Sequence, residues 1–133
     1  MPEKLQLAGC VILQDQKILV IHRIKKDWWE LPGGKIEEGE DARVAAVREL
    51  KEEILCDVEI VKKLGEMDFM ENDFVMGYEW FLAKVVSGAP GVGEPEKYDG
   101  CEFKSILELR ATTVSPNMLN LLDAIERGEI QLQ

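Results

Sequence analysis

Residues 43–54 repeat with the period of an α-helix, unlike the segments before and after them. At about 100° per residue, their apolar side chains fall on one side and three glutamates form a separate stripe. The apolar side chains are those of Val47, Leu50 and Ile54, and the acidic ones are those of Glu49, Glu52 and Glu53. Asp41 precedes the segment and is a typical N-cap residue. The pattern predicts an amphipathic helix that buries one stripe and presents carboxylates on the other.

The remaining apolar segments are typical of β-strands connected by polar turns. The predicted strands lie at residues 5–13, 17–23, 58–70, 74–86 and 101–106. Asp15 and Gln16 form the turn between the first two, and residues 71–73 form the turn between the two long ones. A second amphipathic helix follows, with Ser115 as its N-cap and Gly128 at its end. This order predicts an α/β (α+β) fold in which helices cover both faces of one sheet.

The composition limits the partners of the chain. Its length of 133 residues suits a single domain over residues 1–133. A net charge of −10 argues against a nucleic acid polymer or an anionic membrane, whereas a phosphorylated small molecule fits if cations accompany it. Cys10, Cys56 and Cys101 form no Cys-x-x-Cys pair, which favours free thiols and a cytoplasmic location. We expect neither a signal peptide nor a transmembrane helix, which needs ~20 apolar residues.

The acidic stripe has two interpretations. Because Glu49, Glu52 and Glu53 are three and four residues apart, their side chains point the same way. Two such charges ~6 Å apart repel by roughly 3 kcal/mol at an effective dielectric near 20, and exposure to water reduces this to a few tenths. A solvent-exposed face is therefore one interpretation. The other is a metal site, because the preceding turn at residues 32–34 allows close approach of backbone carbonyls, and Mg²⁺ prefers carboxylate and carbonyl oxygens.

The segment from Gly34 to Cys56 resembles the Nudix box. That signature is Gly, five residues, Glu, seven residues, then Arg-Glu-apolar-x-Glu-Glu-x-Gly-apolar. The matching residues are Gly34, Glu40, Arg48, Glu49, Leu50, Glu52 and Glu53. The preceding "WELPGG" also resembles the usual entry into the box. The chain is therefore identified as a member of the Nudix hydrolase family, with its box at residues 34–56.

One position departs from the signature. Leu55 stands where the box has the glycine that ends its helix. A left-handed conformation costs a leucine ~1–2 kcal/mol. We therefore expect the helix to end with a different geometry in this chain.

The resemblance implies an α/β/α sandwich with a mixed central sheet. It also implies hydrolysis of a nucleoside diphosphate linked to another group, with Mg²⁺ or Mn²⁺ as cofactor. The implied metal ligands are the catalytic residues Glu49, Glu52 and Glu53 and the carbonyl group of Gly33. Glu49 is also the general base in some members. Arg48 would hold a glutamate by charge-assisted hydrogen bonds, and Glu40 would be mainly structural.

Outside the box, the short chain resembles the MutT-like nucleoside triphosphate pyrophosphohydrolases. The segment "GEPEKYDGCEF" at residues 93–103 resembles one in that branch that supplies a further glutamate as metal ligand or base. Glu96 is the candidate, and Glu94 and Asp99 are alternatives. An exposed polar loop is the other interpretation.

Several residues outside the box are candidates for substrate binding. Asn117 matches an asparagine that reads the purine base in MutT, and its amide offers both a donor and an acceptor; otherwise it is only a first-turn helix residue. Arg23 and Lys35 are candidates for phosphate contacts. Trp28 and Trp29 are candidates for stacking on a base, and His22 is expected only to pack at a strand end.

The resemblance to the MutT-like branch implies hydrolysis of a nucleoside triphosphate, including a modified or oxidised one, to the monophosphate and pyrophosphate by metal-activated water. The alternatives are an ADP-ribose or dinucleoside polyphosphate hydrolase, and a catalytically silent nucleotide-binding module. A homodimer is a further expectation that the sequence leaves open.

Overall fold

A computed structural model describes residues 4–132, so residues 1–3 and 133 of the predicted domain lie outside the described part. The elements are β1 (Lys4–Gln14), β2 (Lys17–Arg23), β3 (Trp28–Glu30), β4 (Gly33–Lys35), α1 (Ala42–Ile54), β5 (Asp57–Glu71), β6 (Phe74–Ser87), β7 (Tyr98–Lys104), α2 (Ile106–Arg110) and α3 (Pro116–Glu126). Asp41 caps α1 by accepting from the backbone N–H of Arg43, and Ser115 caps α3, as predicted.

The strands form a mixed sheet in the order β3-β2-β1-β6-β5, with β4 also paired to β1 and β7 to β2. β1 and β6 are parallel, whereas the other pairs are antiparallel. The predicted turn after β5 is present, and Asn72 and Asp73 have φ values of 47° and 68°. Two consecutive residues with positive φ are typical of the tight turns that join twisted antiparallel strands.

Side chains of β1 alternate between two buried clusters, one on each face of the sheet. Ala8, Cys10 and Ile12 pack in a cluster that contains Leu50 of α1. Val11 packs in a second cluster, which contains the buried apolar side chains of α3: Met118, Leu121, Leu122 and Ala124. The alternation follows from the two-residue period of a strand. The predicted α/β/α sandwich with a mixed central sheet is therefore confirmed.

The prediction about the end of α1 is wrong. Leu55 adopts the left-handed conformation, with φ 64° and ψ 26°, which a glycine would adopt there. Contacts distant in sequence hold it: Gly91 N–H donates to the carbonyl of Ile54 at 3.1 Å, and Gly93 N–H donates to that of Glu53 at 2.8 Å. A Cβ atom on Gly93 would lie 2.1 Å from the carbonyl oxygen of Glu52. The segment that precedes β7 is thus bound tightly to the end of α1.

We expect Leu55→Gly to stabilise the protein by about 1 kcal/mol, because glycine adopts the left-handed conformation without the steric cost that leucine has. Leu55 is 55% exposed, so the loss of its partial burial against Gly91 and Gly93 offsets only part of this gain. The measurement is the free energy of unfolding in urea. Val44, which is 57% exposed within α1, gives the control: Val44→Gly should destabilise by about 0.5–1 kcal/mol. If Leu55→Gly destabilises the protein as much as the control does, the left-handed conformation has no steric cost for Leu55.

Cys10, Cys56 and Cys101 are free thiols, as predicted. No helix in the part of the chain from residue 4 to residue 132 is long and apolar enough to cross a membrane.

Candidate functional site

The acidic stripe of α1 lies against β4 and the segment before β7, around one cavity of about 570 Å³. Its lining includes most of the residues predicted from the box: Gly33, Gly34, Arg48, Glu49, Glu52 and Glu53. Arg23 and Lys35 also line it, as do Glu94, Lys97 and Tyr98. We call this space the carboxylate cavity. It brings residues of β1, β2, β4 and α1 and of the segment 94–98 to one place.

Glu53 is the buried member of the stripe, with 4% of the residue exposed. The backbone N–H of Gly33 donates to its Oε1 at 2.6 Å, and the Tyr98 hydroxyl donates to its Oε2 at 2.9 Å. Burial raises the pKa of Glu53 to about 8, although both hydrogen bonds act in the opposite direction. Both oxygens of this carboxylate therefore have fixed positions.

Arg48 links the box residues to one another. Its Nε and Nη2 donate to the two oxygens of Glu40 at 2.9 and 3.0 Å, and its Nη1 donates to Glu49 Oε1 at 3.1 Å. The hydrogen bonds from Arg48 lower the pKa of Glu40 to about 2. Arg48 thus holds Glu49 beside the cavity, while Glu40 holds Arg48.

The two glycines of the turn leave room for this arrangement. A Cβ atom on Gly34 would lie 2.5 Å from Cδ of Glu49. A Cβ atom on Gly33 would lie 2.3 Å from the carbonyl oxygen of Ala8. Side chains at either position would displace the Glu49 carboxylate or separate β4 from β1.

The NUDIX domain family model matches residues 4–125 of this chain. The chain belongs to the Nudix domain family. The predictions of the family, of its fold and of a Nudix hydrolase acting on nucleotide phosphoanhydride bonds are therefore confirmed.

Three similar proteins show how far the likeness extends. An uncharacterized Nudix hydrolase of Bacillus subtilis, YvcI, is 25% identical over 128 residues, which cover 93% of this chain and 80% of the relative. An RNA pyrophosphohydrolase of Pelagibacter ubique is 42% identical over 101 residues, or 73% of this chain and 56% of the relative. The crystal structure of a MutT NUDIX hydrolase from Burkholderia pseudomallei aligns with a TM-score of 0.81 at 25% identity, covering 91% of this chain and 97% of that one.

The family implies a divalent metal, and the donors around the carboxylate cavity fit one in kind. Glu49, Glu52, Glu53 and Glu94 supply carboxylates and Gly33 supplies a carbonyl group, the donor types that Mg²⁺ prefers. Within residues 4–132, however, no three His, Cys, Asp or Glu side chains lie close enough together to hold one ion. The hydrogen bonds to Glu53, and that from Arg48 to Glu49, occupy carboxylate oxygens that an ion would need as ligands.

The loop glutamate chosen from the sequence lies elsewhere. Glu94, the alternative, lines the carboxylate cavity, whereas Glu96 lines a neighbouring cavity of about 320 Å³ together with Lys25. Lys97, which the sequence did not single out, lines both cavities and forms an ion pair with Glu94 at 3.3 Å. The hydrogen bonds of Gly91 and Gly93 to the end of α1 place Glu94 there.

Arg23 lines the carboxylate cavity and is held in place by protein partners through its Nε and Nη2. Its guanidinium donates to both oxygens of Glu30, at 2.6 and 2.9 Å, and to the Tyr98 hydroxyl at 2.8 Å. Trp28 Nε1 donates to the same Glu30 at 2.7 Å. Together with the bond from Tyr98 to Glu53, these contacts form a continuous series, which we call the Trp28–Glu53 chain. Neither Glu30 nor Tyr98 was predicted from the sequence.

A further cavity of about 270 Å³ adjoins the carboxylate cavity, and Leu7 and Arg23 line both. We call it the apolar cavity, because much of its lining is Leu7, Phe69, Met76 and Tyr78. Trp28 and Asn117 also line it. Of the two candidate stacking residues, Trp28 is therefore at this cavity, whereas Trp29 packs against His22 with ring centroids 5.0 Å apart.

His22 does more than pack at a strand end. Its Nδ1 lies 2.5 Å from Asp99 and its Nε2 lies 2.9 Å from Asp27, so an imidazolium donates from both nitrogens. These hydrogen bonds, that to Asp99 first, raise the pKa of His22. Asp99, a loop candidate for the metal, is thereby occupied.

We expect this contact to make stability depend on pH. Because the folded-state pKa lies above the unfolded value, the contribution of His22 is complete below the unfolded pKa and is lost as the pH rises through the folded one. The difference in unfolding free energy between wild type and His22→Gln should therefore be larger at acidic than at alkaline pH. Urea unfolding across that range measures it. A difference that stays constant with pH would show that His22 does not titrate on unfolding.

Proposed function

We propose that the protein hydrolyses a nucleoside triphosphate, including modified or oxidised ones, to the monophosphate and pyrophosphate with Mg²⁺ or Mn²⁺. The observation that carries the proposal is that the carboxylate cavity and the apolar cavity adjoin at Leu7 and Arg23. One nucleotide would place its phosphates in the first and its base in the second. A cavity with apolar side chains and a few polar groups, as on the base side, is typical of ligand sites.

In this proposal, Glu49, Glu52, Glu53 and Glu94 would hold the metal with the carbonyl of Gly33. When bound, Mg²⁺ supplies neutralisation of phosphate charge and activation of water. Glu49 or Glu94, which both line the cavity, would accept the proton of the attacking water, and the phosphoanhydride bond between the α- and β-phosphates would break to release monophosphate and pyrophosphate. Lys35 and Lys97, which line the same cavity, contact the phosphates.

A second candidate substrate is RNA with a 5′ triphosphate. It is suggested by the relative from Pelagibacter ubique that is named an RNA pyrophosphohydrolase, and by the cavity lined by Lys25 and Lys97 next to the carboxylate cavity. The net charge of −10 argues against it, because a polymer would meet repulsion over most of the surface. ADP-ribose and dinucleoside polyphosphates are further candidate substrates, and a silent nucleotide-binding module is the candidate without catalysis.

A substrate panel with Mg²⁺ tests the proposal, with products separated by ion-exchange chromatography. Nucleoside triphosphates should give pyrophosphate and monophosphate with a kcat/KM at least about tenfold above the other substrates, which corresponds to ~1.4 kcal/mol of transition-state binding. The others are ADP-ribose, a dinucleoside tetraphosphate and a 5′-triphosphorylated oligoribonucleotide. A larger kcat/KM for any of these would contradict the choice of substrate, and nucleotide binding without turnover would favour the silent module.

The proposal includes a cytoplasmic location, which the three free thiols support. It also includes a homodimer formed through the long β5–β6 hairpin, whose outer strand β5 is the last in the sheet order. Sedimentation should give twice the mass of the chain, and a monomer at all concentrations would contradict this part.

A further inference from the structure

The cavity of about 320 Å³ beside the carboxylate cavity has the opposite balance of charge. Its lining holds three cationic side chains, those of Arg23, Lys25 and Lys97, and one carboxylate, that of Glu96. We call it the lysine cavity. The lining of the carboxylate cavity instead holds five glutamates and four cationic side chains. In a protein with a net charge of −10, a cationic cavity next to an acidic one attracts an anion to that place.

Contacts between distant segments fix the walls of the lysine cavity. The backbone N–H of Ile24 donates to the carbonyl of Lys97 at 3.0 Å, beyond the last pair between β2 and β7. His22 joins the same two segments, because its Nε2 lies 2.9 Å from Asp27 in the turn after β2 and its Nδ1 lies 2.5 Å from Asp99 in β7. The turn after β2 is therefore held against the start of β7, and the lysines of the two segments line one space.

We propose that the lysine cavity binds the terminal phosphate of a nucleoside triphosphate, and that Lys25 thereby makes the protein select triphosphates over diphosphates. This inference rests on the proposed function, because it takes the reacting phosphates to lie in the carboxylate cavity. Lys25 lines neither the carboxylate cavity nor the apolar cavity. It is thus assigned as a substrate-binding residue that recognises the length of the phosphate chain.

The residues that the cavities share indicate which phosphate reaches the lysine cavity. It shares Arg23 and Lys97 with the carboxylate cavity, and Arg23 with the apolar cavity. It therefore adjoins the place of the reacting phosphates along two residues and the place of the base at one. In a triphosphate, the γ-phosphate extends from the scissile bond away from the base, so it continues from the carboxylate cavity into the lysine cavity.

Charge explains why the terminal phosphate favours the lysine cavity over the carboxylate cavity. A phosphate monoester carries about −1.5 to −2 charges at pH 7, and a terminal phosphate resembles it in this respect. Among the glutamates of the carboxylate cavity, such a group would meet charges of its own sign. Lys97 already shares its charge with Glu94, at 3.3 Å. Lys25 lies in the exposed turn after β2 and presents three N–H donors to phosphate oxygens.

The test compares triphosphates with diphosphates by isothermal titration calorimetry in the presence of Mg²⁺. The probes are α,β-methylene analogues, in which carbon replaces the oxygen of the bond proposed to break, and adenosine, guanosine, cytidine and uridine are all used so that the base does not decide the outcome. Wild type should bind each triphosphate analogue at least about tenfold more tightly than the diphosphate analogue, because a hydrogen bond to a charged group contributes about that factor. Lys25→Gln should lower this ratio to about threefold or less, while the affinity for the diphosphate analogue stays within about twofold.

Two control variants distinguish the charge of Lys25 from other effects of substitution. Lys25→Arg keeps the positive charge, so its ratio should remain near that of wild type. Lys17→Gln makes the same chemical change as Lys25→Gln at an exposed lysine at the opposite end of β2, and should leave the ratio unchanged. A third pair of ligands, adenosine 3′,5′-bisphosphate and AMP, tests for a phosphate on the ribose. Its affinity ratio should be the same in wild type and Lys25→Gln.

Equal affinities of wild type for the triphosphate and diphosphate analogues, a ratio that Lys25→Gln leaves unchanged, or binding of neither analogue would overturn the inference. So would a preference for the bisphosphate that depends on Lys25 more than the preference for the triphosphate does, because the cavity would then serve a ribose phosphate. Since the analogues are not hydrolysed, the two proposals fail separately. A ratio that depends on Lys25 without turnover of triphosphates overturns only the proposed function, and turnover with an unchanged ratio overturns only the role of the lysine cavity.

Discussion

Glu53→Gln should lower kcat by on the order of a thousandfold, with the fold retained. Above its pKa of about 8, or with a metal bound, Glu53 is charged, so the substitution removes a negative charge and changes almost no volume. Gly33 N–H can still donate to the amide oxygen, and the Tyr98 hydroxyl can accept from the new NH₂ group. The loss therefore reports the charge of this carboxylate rather than its packing. The measurement is pyrophosphate release at saturating nucleotide and Mg²⁺.

Two controls distinguish the effect of the lost charge on catalysis from an effect on stability. Burial disfavours the charged form of Glu53 and holds its pKa above the unfolded value, so above the unfolded pKa the variant should be at least as stable as wild type. Thermal unfolding checks this. Glu66→Gln makes the same chemical change at a side chain that is 68% exposed, and should leave kcat unchanged. A Glu53→Gln enzyme that keeps a tenth or more of its activity would remove Glu53 from the metal site.

Tyr98→Phe should lower kcat by about tenfold to a hundredfold, the range typical of groups that orient metal ligands. The hydroxyl donates to Glu53 and accepts from Arg23, so its loss separates Glu53 from the rest of the Trp28–Glu53 chain. The pair between Arg23 and Glu30 remains, and the nucleotide KM should change little.

The dependence on Mg²⁺ distinguishes positioning from general destabilisation. If Tyr98 orients Glu53, the variant needs more Mg²⁺ for half-maximal activity, and titration with Mn²⁺ in the absence of nucleotide should show weaker binding. If Tyr98→Phe instead raises only the KM for nucleotide and binds Mn²⁺ as wild type does, the hydroxyl serves the substrate and not the carboxylate.

The features that the sequence predicted well are local ones. The spacing of three glutamates along α1 and the preceding glycines determine which side chains share a helix face, and no distant contact is needed to see this. The caps at Asp41 and Ser115 are local in the same sense, because each accepts from a backbone N–H within three residues. The order of strands and helices likewise predicted a sheet covered on both faces, and side chains of β1 pack in both clusters.

The features that were missed depend on contacts between distant segments. Leu55 was expected to avoid the left-handed conformation, yet Gly91 and Gly93 stabilise the end of α1 from across the fold. The same contacts direct Glu94 rather than Glu96 into the carboxylate cavity, and a loop has no period that would have predicted this.

Pairing across strands explains the remaining differences. The sequence did not show that Arg23 is held by Glu30 and Tyr98, because these partners belong to β3 and β7. The amide of Asn117 looked able to donate and accept, but Trp80, 37 residues away, takes its oxygen. In both cases the residue type indicated a polar group for a ligand, and the distant partner determines which of its atoms remain for that ligand.

The most direct test of the account is the stoichiometry of products from one nucleoside triphosphate, measured with Mg²⁺ for wild type and Glu53→Gln in parallel. The carboxylate and apolar cavities together predict equimolar monophosphate and pyrophosphate from wild type and almost none from the variant. Release of diphosphate and inorganic phosphate, or equal turnover by the two proteins, would contradict it.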